Sequence, residues 1–257
     1  MNSNDFKRIE KSFSKSIKDY ETQYKSKHWF YYNDLKNGLF NIKDIQEFRN
    51  NDLSLNLDDK PKNPDHLIVL FKKIIEKFGE DFVLKNLDSN NIGNNKKFIK
   101  YKNHFVDYNL IHQINIFHEI MNNIKFQKNF IICEIGGGYG HLSKLILNNF
   151  RSKIILIDLP EANFLSSYYL MKNFNNLKFL LYEDIKSEYI NQDSVDKYDV
   201  IIIPPWIKIK EIKINIFINI RSMMEMTKDI IKTYFDTIQK NIVTGGYFVN
   251  INRYLKN

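Results

Sequence analysis

The sequence predicts an α/β fold in which a parallel sheet is covered by helices on both faces and is preceded by a mainly helical region. In the second half of the chain, short runs of almost wholly apolar residues alternate with helical periodicity, which is typical of strands buried on both faces. A glycine-rich turn follows the first of these runs. With 257 residues, 43% of them hydrophobic and 26% charged, the chain is long and apolar enough to bury a full core.

The first 90 residues place apolar side chains three or four positions apart and show little strand pattern, which favours helices. Helices are predicted over 5–20, 42–48 and 64–78. The aromatic cluster 28–32 is interpreted as packing between helices, although aromatic faces also bind sugars. The polar, glycine-containing segment 88–95 is the predicted boundary. We therefore expect a helical lid or substrate region over 1–90 and a Rossmann-like domain over 91–257.

The first predicted strand and its turn read Ile-Ile-Cys-Glu-Ile-Gly-Gly-Gly-Tyr-Gly over 131–140. Glycines at alternate positions leave room for a ligand beside the backbone and permit positive φ, and the following helix points its N–H groups at that ligand. The dinucleotide fingerprint would need a glycine where His141 stands. The spacing instead resembles the cofactor loop of class I S-adenosylmethionine-dependent methyltransferases, with a purely structural turn as the alternative. The candidate cofactor-binding residues here are Glu134, Gly136, Gly138 and Gly140.

The second strand, 153–158, ends in a carboxylate, Asp158, which lies 22 residues after Gly136. An acid about 20 residues beyond the glycine turn is placed to accept hydrogen bonds from the hydroxyls of a ribose. Adenosine from a nicotinamide cofactor or from S-adenosylmethionine would satisfy Asp158 equally, and the glycine spacing favours the methyl donor. Asp158 is also a candidate N-cap before Pro160, and the two roles are compatible.

The remaining elements continue the alternation of strands and helices. The predicted helices are 161–174 and 229–241, and the predicted strands are 177–181, 199–203, 214–220 and 247–251. We take 199–203 as the third strand of the sheet, although 177–181 is an alternative. Ligands of parallel sheets bind beyond the carboxyl ends of the strands, an edge that collects Gly136, Asp158, Pro204, Asn219 and Asn252.

Two groups are candidates for the base that methyl transfer to a hydroxyl requires. Glu225 lies in the polar turn after strand 214–220, and His141 lies beside the glycine turn. Each has a structural alternative, since Glu225 also suits the start of a helix and His141 also suits a cap position.

The segment Ile203-Pro204-Pro205-Trp206 invites comparison with the Asp/Asn/Ser-Pro-Pro-aromatic motif of enzymes that methylate amines. Ile203 offers no hydrogen-bond acceptor to an amine, so the two prolines are interpreted as a rigid exit from the strand. An amine methyltransferase and a non-catalytic adenosine-binding module stay open as alternative functions.

Together these motifs make residues 90–257 resemble the bacterial sugar O-methyltransferases. The resemblance rests on segments 134–140, 156–161, 168–170, 220–226 and 245–254, with 91–94 as a weaker match. It implies transfer of a methyl group from S-adenosylmethionine to a sugar hydroxyl, plausibly in the assembly of surface polysaccharide. A class I sheet has seven strands, so with 247–251 as the fifth strand we expect the final hairpin to be missing.

The acceptor is expected to be a small molecule or a nucleotide-linked sugar, whose phosphates the planar guanidinium of an arginine would clamp. The candidate substrate-binding residues are Asn219, Arg221, Ser222, Asn252 and Arg253. We expect the helical region 1–90 to pack near this edge as a lid over the acceptor.

The composition indicates which classes of partner and which cellular compartment to expect. The net charge of +8 comes mostly from lysines scattered along the chain, so no nucleic-acid partner is predicted. No His/Asp/Cys cluster has metal-ligand spacing, so we predict no metal, and the single cysteine, Cys133, rules out a disulfide within the chain. No apolar run or signal segment indicates a membrane span or export, which makes a cytoplasmic location the expectation.

Overall fold

The computed structural model describes residues 3–20, 45–50 and 64–253. The predicted aromatic cluster 28–32 and the first three residues of the predicted helix 42–48 lie outside these ranges.

The centre of the molecule is a sheet of six parallel strands, which confirms the predicted Rossmann-like fold class. Its strands in chain order are β3 (Ile131–Ile135), β4 (Lys153–Ile157), β5 (Phe179–Leu180), β7 (Val200–Ile203), β9 (Ile214–Ile220) and β10 (Ile242–Ile251). Their order across the sheet is β10-β9-β3-β4-β7-β5. Both candidates for the third strand belong to the sheet: β5 is third in chain order and forms a two-residue edge, and β7 lies between it and β4. The strand β10 is therefore the sixth strand of the sheet and not the fifth, as we expected.

Helices surround the sheet. They are α1 (Ser3–Lys18), α2 (Pro64–Phe78), α3 (Glu80–Asn86), α4 (Tyr108–Asn123), α5 (His141–Asn149), α6 (Pro160–Asn173), α7 (Gln192–Lys197) and α8 (Lys228–Asn241). Two short 3-10 helices, Tyr182–Asp184 and Met223–Glu225, follow β5 and β9. Two small sheets complete the structure: β1 (Ile99–Tyr101) with antiparallel β2 (His104–Val106), and β6 (Tyr189–Ile190) with parallel β8 (Lys208–Ile209).

Alternate side chains of each central strand enter different hydrophobic cores, because a strand points successive side chains to opposite faces. Ile132 and Ile154 join one core, and Cys133 and Ile155 join the other. The first core also contains side chains from α1, from segment 45–50 and from α2. Residues on both sides of the predicted boundary at residue 90 therefore bury their apolar surface together.

The strand β10 begins at Ile242, five residues before the predicted start, and its pairing with β9 shifts register between Ile242 and Tyr247. It lies at the edge of the sheet, and within segment 64–253 no strand pairs with its outer side. Tyr247 is 43% exposed and Ile251 is 40% exposed.

Candidate active site

The chain changes direction across the sheet at β3, which creates a crevice at the carboxyl ends of the strands. The strands β4 and β7 follow β3 towards one edge, and the chain then returns to place β9 on the other side of β3. Such a switch point is where open parallel sheets bind their ligands. The glycine turn follows β3, Asp158 follows β4, and Asn219 lies near the end of β9.

The glycine turn adopts a shape that only glycines take easily, with φ values of 73° at Gly136, 58° at Gly138 and 84° at Gly140. It leads directly into α5, whose first turn is closed by the Lys144 amide donating to the Gly140 carbonyl at 2.9 Å. A Cβ atom added to Gly136 would meet Ser222 Oγ at 1.9 Å. The polar turn after β9 therefore lies against the glycine turn, as the two motifs predicted.

Glu134 is buried within β3, 4% exposed, and accepts a short hydrogen bond from the Ser143 hydroxyl in the first turn of α5. Burial raises the pKa of Glu134 to about 7, while hydrogen bonds from the Ser143 side chain and backbone act in the opposite direction. The carboxyl group thus joins the strand before the turn to the helix after it. It contacts the turn from inside the protein.

Asp158 stands at the tip of β4, where its carboxylate accepts from the Gly138 amide at 2.8 Å and from the Leu159 amide at 2.7 Å. Burial raises the pKa of Asp158 to about 7, and the charges of Glu161 and Glu225 raise it further against these two hydrogen bonds. Asp158 therefore belongs to the same group of side chains as the glycine turn. Its bond from the Gly138 amide helps to fix the shape of the turn.

Asn219 and Asn252 form a hydrogen-bonded pair that fixes the end of β9. Asn219 Nδ2 donates to the Ile135 carbonyl at 2.7 Å, and Asn252 Nδ2 donates to Asn219 Oδ1 at 2.8 Å. Their oxygens also accept the backbone amides of Met223 at 3.1 Å and Met224 at 3.2 Å. The structure brings these two predicted substrate-binding residues together, and their side-chain hydrogen bonds hold the turn 222–225 in place.

The charged residues predicted for acceptor binding lie on the exposed side of this turn. Arg221 and Arg253 are both exposed, and Arg221 has a φ of 59° while its amide donates to the Ile251 carbonyl at 2.8 Å. Glu225 is half-buried on the 3-10 helix, and its amide donates at 3.0 Å to the carbonyl of Ser222, whose hydroxyl lies against Gly136. Glu225 thus lies at the crevice together with the cofactor-binding candidates.

His141 does not reach the crevice, although the sequence made it a candidate base. Its side chain is 2% exposed, with Nδ1 3.0 Å from the Tyr139 hydroxyl and Nε2 3.9 Å from an Asp88 oxygen. Burial, followed by the nearby Lys144 charge, lowers the pKa of His141 well below its usual value. A ring enclosed in this way cannot take a proton from an acceptor in the crevice, so we withdraw His141 as a candidate base.

The Pro-Pro-Trp segment is also directed into the protein. Ile203 is fully buried at the end of β7, and Trp206 is 9% exposed with its indole N–H donating to the Tyr182 hydroxyl at 3.1 Å. Tyr20 packs edge-on against Trp206, with 5.5 Å between the ring centroids. These contacts explain the segment as packing and give no support to an amine acceptor site.

Sequence reasoning missed a group of buried charges next to the glycine turn. Asp88 pairs with Lys144 at 2.5 Å, and Arg49 pairs with Asp107 at 2.7 Å. Each pair joins residues more than 50 positions apart, so no local spacing indicated it. The one available signal was that Asp88 opens the polar segment taken as the boundary.

The described ranges contain neither a candidate metal cluster nor a candidate membrane span. Within 3–20, 45–50 and 64–253, no group of three His, Cys, Asp or Glu residues is arranged to hold a metal ion. None of the helices in these ranges is both long and apolar enough to cross a membrane.

Comparison with known proteins found similar solved structures but no close relative. No family model and no curated protein matches this sequence. Phospholethanolamine N-methyltransferase 2 of Haemonchus contortus, solved with S-adenosylhomocysteine, is 11% identical with a TM-score of 0.39, over 53% of this chain and 27% of its own. Coclaurine N-methyltransferase, also solved with S-adenosylhomocysteine, is 11% identical with a TM-score of 0.38, over 83% of this chain and 59% of its own.

A third similar structure is the cyclopropane synthase MmaA2 of Mycobacterium tuberculosis, at 11% identity and a TM-score of 0.39, over 68% of this chain and 53% of its own. The chain thus spans between about a quarter and three fifths of the length of these three structures. Likeness at this level carries no argument about activity, and the fold assignment rests on the strand order described above.

Proposed function

We propose that this chain is an S-adenosylmethionine-dependent methyltransferase that acts on a hydroxyl of a sugar. The observation that carries the proposal is the meeting of the glycine turn and Asp158 at the switch point of the sheet, joined by the bond from the Gly138 amide to the Asp158 carboxylate at 2.8 Å. The spacing of the glycines favours the methyl donor over a nicotinamide cofactor.

The residues at the crevice fit an adenosine cofactor. Asp158 offers a carboxylate to ribose hydroxyls beside the Gly138 amide, whereas the spaces that Cβ atoms would take at Gly136 and Gly140 are filled by Ser222 and Leu170. Glu134 supports the turn from the buried side through Ser143. S-adenosylmethionine, when bound, supplies a methyl group on a positively charged sulfur.

Glu225 is our candidate base. Its position at the crevice, in the turn that lies against Gly136, suits removal of a proton from an acceptor hydroxyl as the oxygen attacks the methyl group. Exposed Arg221 and Arg253 beside it provide positive charge for the phosphates of a nucleotide-linked sugar. The acceptor would enter from the exposed side of the turn 222–225.

Helix α1 supports the idea that the N-terminal region covers the acceptor. Arg8 donates to an Asp184 carboxylate oxygen at 2.8 Å, and Lys15 donates to the Ile185 carbonyl at 2.7 Å, so α1 is attached just beyond the end of β5. The residue Tyr20, two positions after α1, reaches Trp206 beyond the end of β7. We propose that the N-terminal region forms one wall of the acceptor site.

Calorimetric titration tests the cofactor assignment. We expect the purified protein to bind S-adenosylmethionine and S-adenosylhomocysteine and to give no measurable heat with NAD. Methylation of a panel of nucleotide-linked sugars, detected as formation of S-adenosylhomocysteine, then tests the acceptor class. Binding of NAD alone would contradict the cofactor assignment, and turnover of an amine acceptor without any sugar turnover would contradict the hydroxyl assignment.

A further inference from the structure

The glycine turn contains one large side chain, Tyr139, and it points away from the crevice into the protein. Its ring is 1% exposed. The hydroxyl oxygen accepts a short hydrogen bond from the Asn109 amide, and the hydroxyl is also hydrogen-bonded to His141 Nδ1 at 3.0 Å. The turn is therefore bonded to helix α4 through Tyr139.

Residues of the N-terminal region close around the Tyr139 ring. Phe48 meets it edge-on, with 5.3 Å between the ring centroids, and the Arg49 guanidinium lies 5.5 Å from the ring centre. The side chain of Arg49 is 2% exposed and pairs at 2.7 Å with Asp107, which is 4% exposed. Asp107 also caps α4 by accepting the Leu110 amide at 2.9 Å. Segment 45–50 thus holds the ring from the side opposite the crevice.

A second buried contact ties down the helix that follows the turn. Lys144, in the first turn of α5, pairs with Asp88 at 2.5 Å, and their side chains are 4% and 7% exposed. Asp88 comes from the segment after α3 and also accepts from the Tyr169 hydroxyl at 3.4 Å. Both the turn and the start of α5 are therefore attached to residues before β3.

We propose that Tyr139 is a positioning residue that holds the glycine turn in its cofactor-binding shape, and that segment 45–50 regulates cofactor affinity through it. A turn with three glycines at positive φ has many alternative conformations of similar energy. Buried contacts to its one large side chain select a single conformation from these. The apparent affinity for a cofactor falls in proportion to the fraction of molecules in that conformation. This inference rests on the proposed function, since it assumes that the turn binds S-adenosylmethionine.

The first test uses hydrogen exchange on the ligand-free protein. Tyr139→Phe keeps the ring against Phe48 and Arg49 and removes only the hydroxyl. We expect faster exchange at amides 136–140, with unchanged exchange in the strands of the sheet. Tyr168→Phe is the matched control, because that ring also contacts Phe48, at 6.5 Å between centroids, but lies on α6 outside the turn. Equal exchange in the turn of Tyr139→Phe and the parent protein would overturn the proposal.

The second test measures affinity. We expect Tyr139→Phe to bind S-adenosylhomocysteine about tenfold more weakly, the effect of leaving buried partners without their hydroxyl. Saturating S-adenosylhomocysteine should return exchange in the turn to the parental rate, because the ligand selects the competent conformation. A role in packing alone would raise exchange in the strands of the sheet as well as in the turn.

Arg49→Lys supplies a second variant if Tyr139→Phe does not fold. It keeps a positive charge opposite Asp107 and removes the planar group that stacks on Tyr139. We expect the same loosening of the turn and a several-fold loss of affinity; parental values for both would overturn the role of segment 45–50. If the parent protein binds no adenosine cofactor, the proposed function fails, whereas the exchange experiment still decides whether Tyr139 holds the turn.

Discussion

Asp158 accepts a hydrogen bond from the glycine turn and is our candidate acceptor for ribose hydroxyls. Two substitutions distinguish these roles. Asn at this position keeps an oxygen for the Gly138 amide but no longer offers a charged acceptor to ribose hydroxyls. We expect Asp158→Asn to fold normally and Asp158→Ala to lose the turn contact as well, with cofactor binding weaker by roughly 1.5–3 kcal/mol in Asp158→Ala. Calorimetry with S-adenosylhomocysteine measures both. Unchanged affinity in Asp158→Ala would mean that the ribose is held elsewhere.

Glu225 is the residue on which the proposed chemistry depends. Glu225→Gln keeps the size of the side chain and one acceptor oxygen but cannot accept a proton at neutral pH. We expect cofactor affinity to stay at the parental value and turnover to fall by about 10²–10⁴-fold. Asp229→Asn, an exposed acid in the first turn of α8, is the control and should keep parental turnover. Turnover of Glu225→Gln within a few-fold of the parent would remove Glu225 from the mechanism.

The buried carboxyl groups of Glu134 and Asp158 give stability a definite pH dependence. Their pKa values rise from 4.5 and 3.8 to about 7 on folding, so between these limits the folded state binds more protons than the unfolded state. The free energy of unfolding therefore contains a contribution that falls as pH rises from about 4 to about 7 and is constant above that. We expect Glu134→Gln, which keeps an acceptor for Ser143, to flatten this slope in chemical denaturation at several pH values. A slope equal to the parent's would contradict the raised pKa.

Both a positive φ and a close neighbouring side chain disfavour a larger residue at Gly136. Comparison with Gly245, which has a positive φ but no close neighbour, separates the two effects. An alanine at Gly136 would adopt a φ near 73° and meet Ser222 Oγ at 1.9 Å, whereas an alanine at Gly245 would adopt a φ near 77° with nothing within 4 Å. Gly245→Ala should lose only the backbone term, about 1–2 kcal/mol. We expect Gly136→Ala to lose more and to displace Ser222. Thermal unfolding and cofactor titration of both variants check this, and equal stabilities would show that Ser222 moves aside freely.

The sequence revealed the strands well because a parallel strand buried on both faces appears as a short apolar run. For that reason β9 was predicted with its observed limits, and β3, β4 and β7 were predicted to within a residue. The hairpin of β1 and β2 was missed because its turn lacks the usual Asn-Gly signal. Lys102 takes a φ of 51° there, a conformation that the sequence gives no reason to expect of lysine.

The candidate site was predictable only where its residues are neighbours in the chain. The glycine turn and Asp158 are linked by a spacing that reflects one strand–helix–strand unit, so sequence alone indicated them. The pairing of β9 with β10 decides whether the Asn219 side chain faces a ligand or bonds to Asn252. His141 is enclosed by residues from α4 and from the segment after α3. Such contacts are decided by tertiary packing, which carries no local pattern.

The shared core changes what removal of the N-terminal region should do. The predicted division at residue 90 implies that residues 91–257, if they fold alone, bind adenosine without residues 1–90. Deleting 1–90 would, however, leave Lys144 without Asp88 and Asp107 without Arg49, each in a buried position. A buried charge that loses its partner destabilises a protein by about 3–5 kcal/mol, so we now expect such a fragment to be largely unfolded.

Point substitutions at Asp88 and Lys144 test whether the N-terminal region and the sheet fold as one unit. Asp88→Leu alone leaves a buried ammonium unpaired and should lower the free energy of unfolding by about 3–5 kcal/mol. Asp88→Leu combined with Lys144→Met removes both charges and should recover most of that loss, because an apolar pair of similar volume replaces the ion pair. Chemical denaturation followed by circular dichroism and by tryptophan fluorescence should give one coincident transition for each variant, since the two regions share one core. Two separate transitions would show that the N-terminal region folds independently of the sheet. A double variant no more stable than Asp88→Leu would show that the loss does not come from the unpaired Lys144 charge.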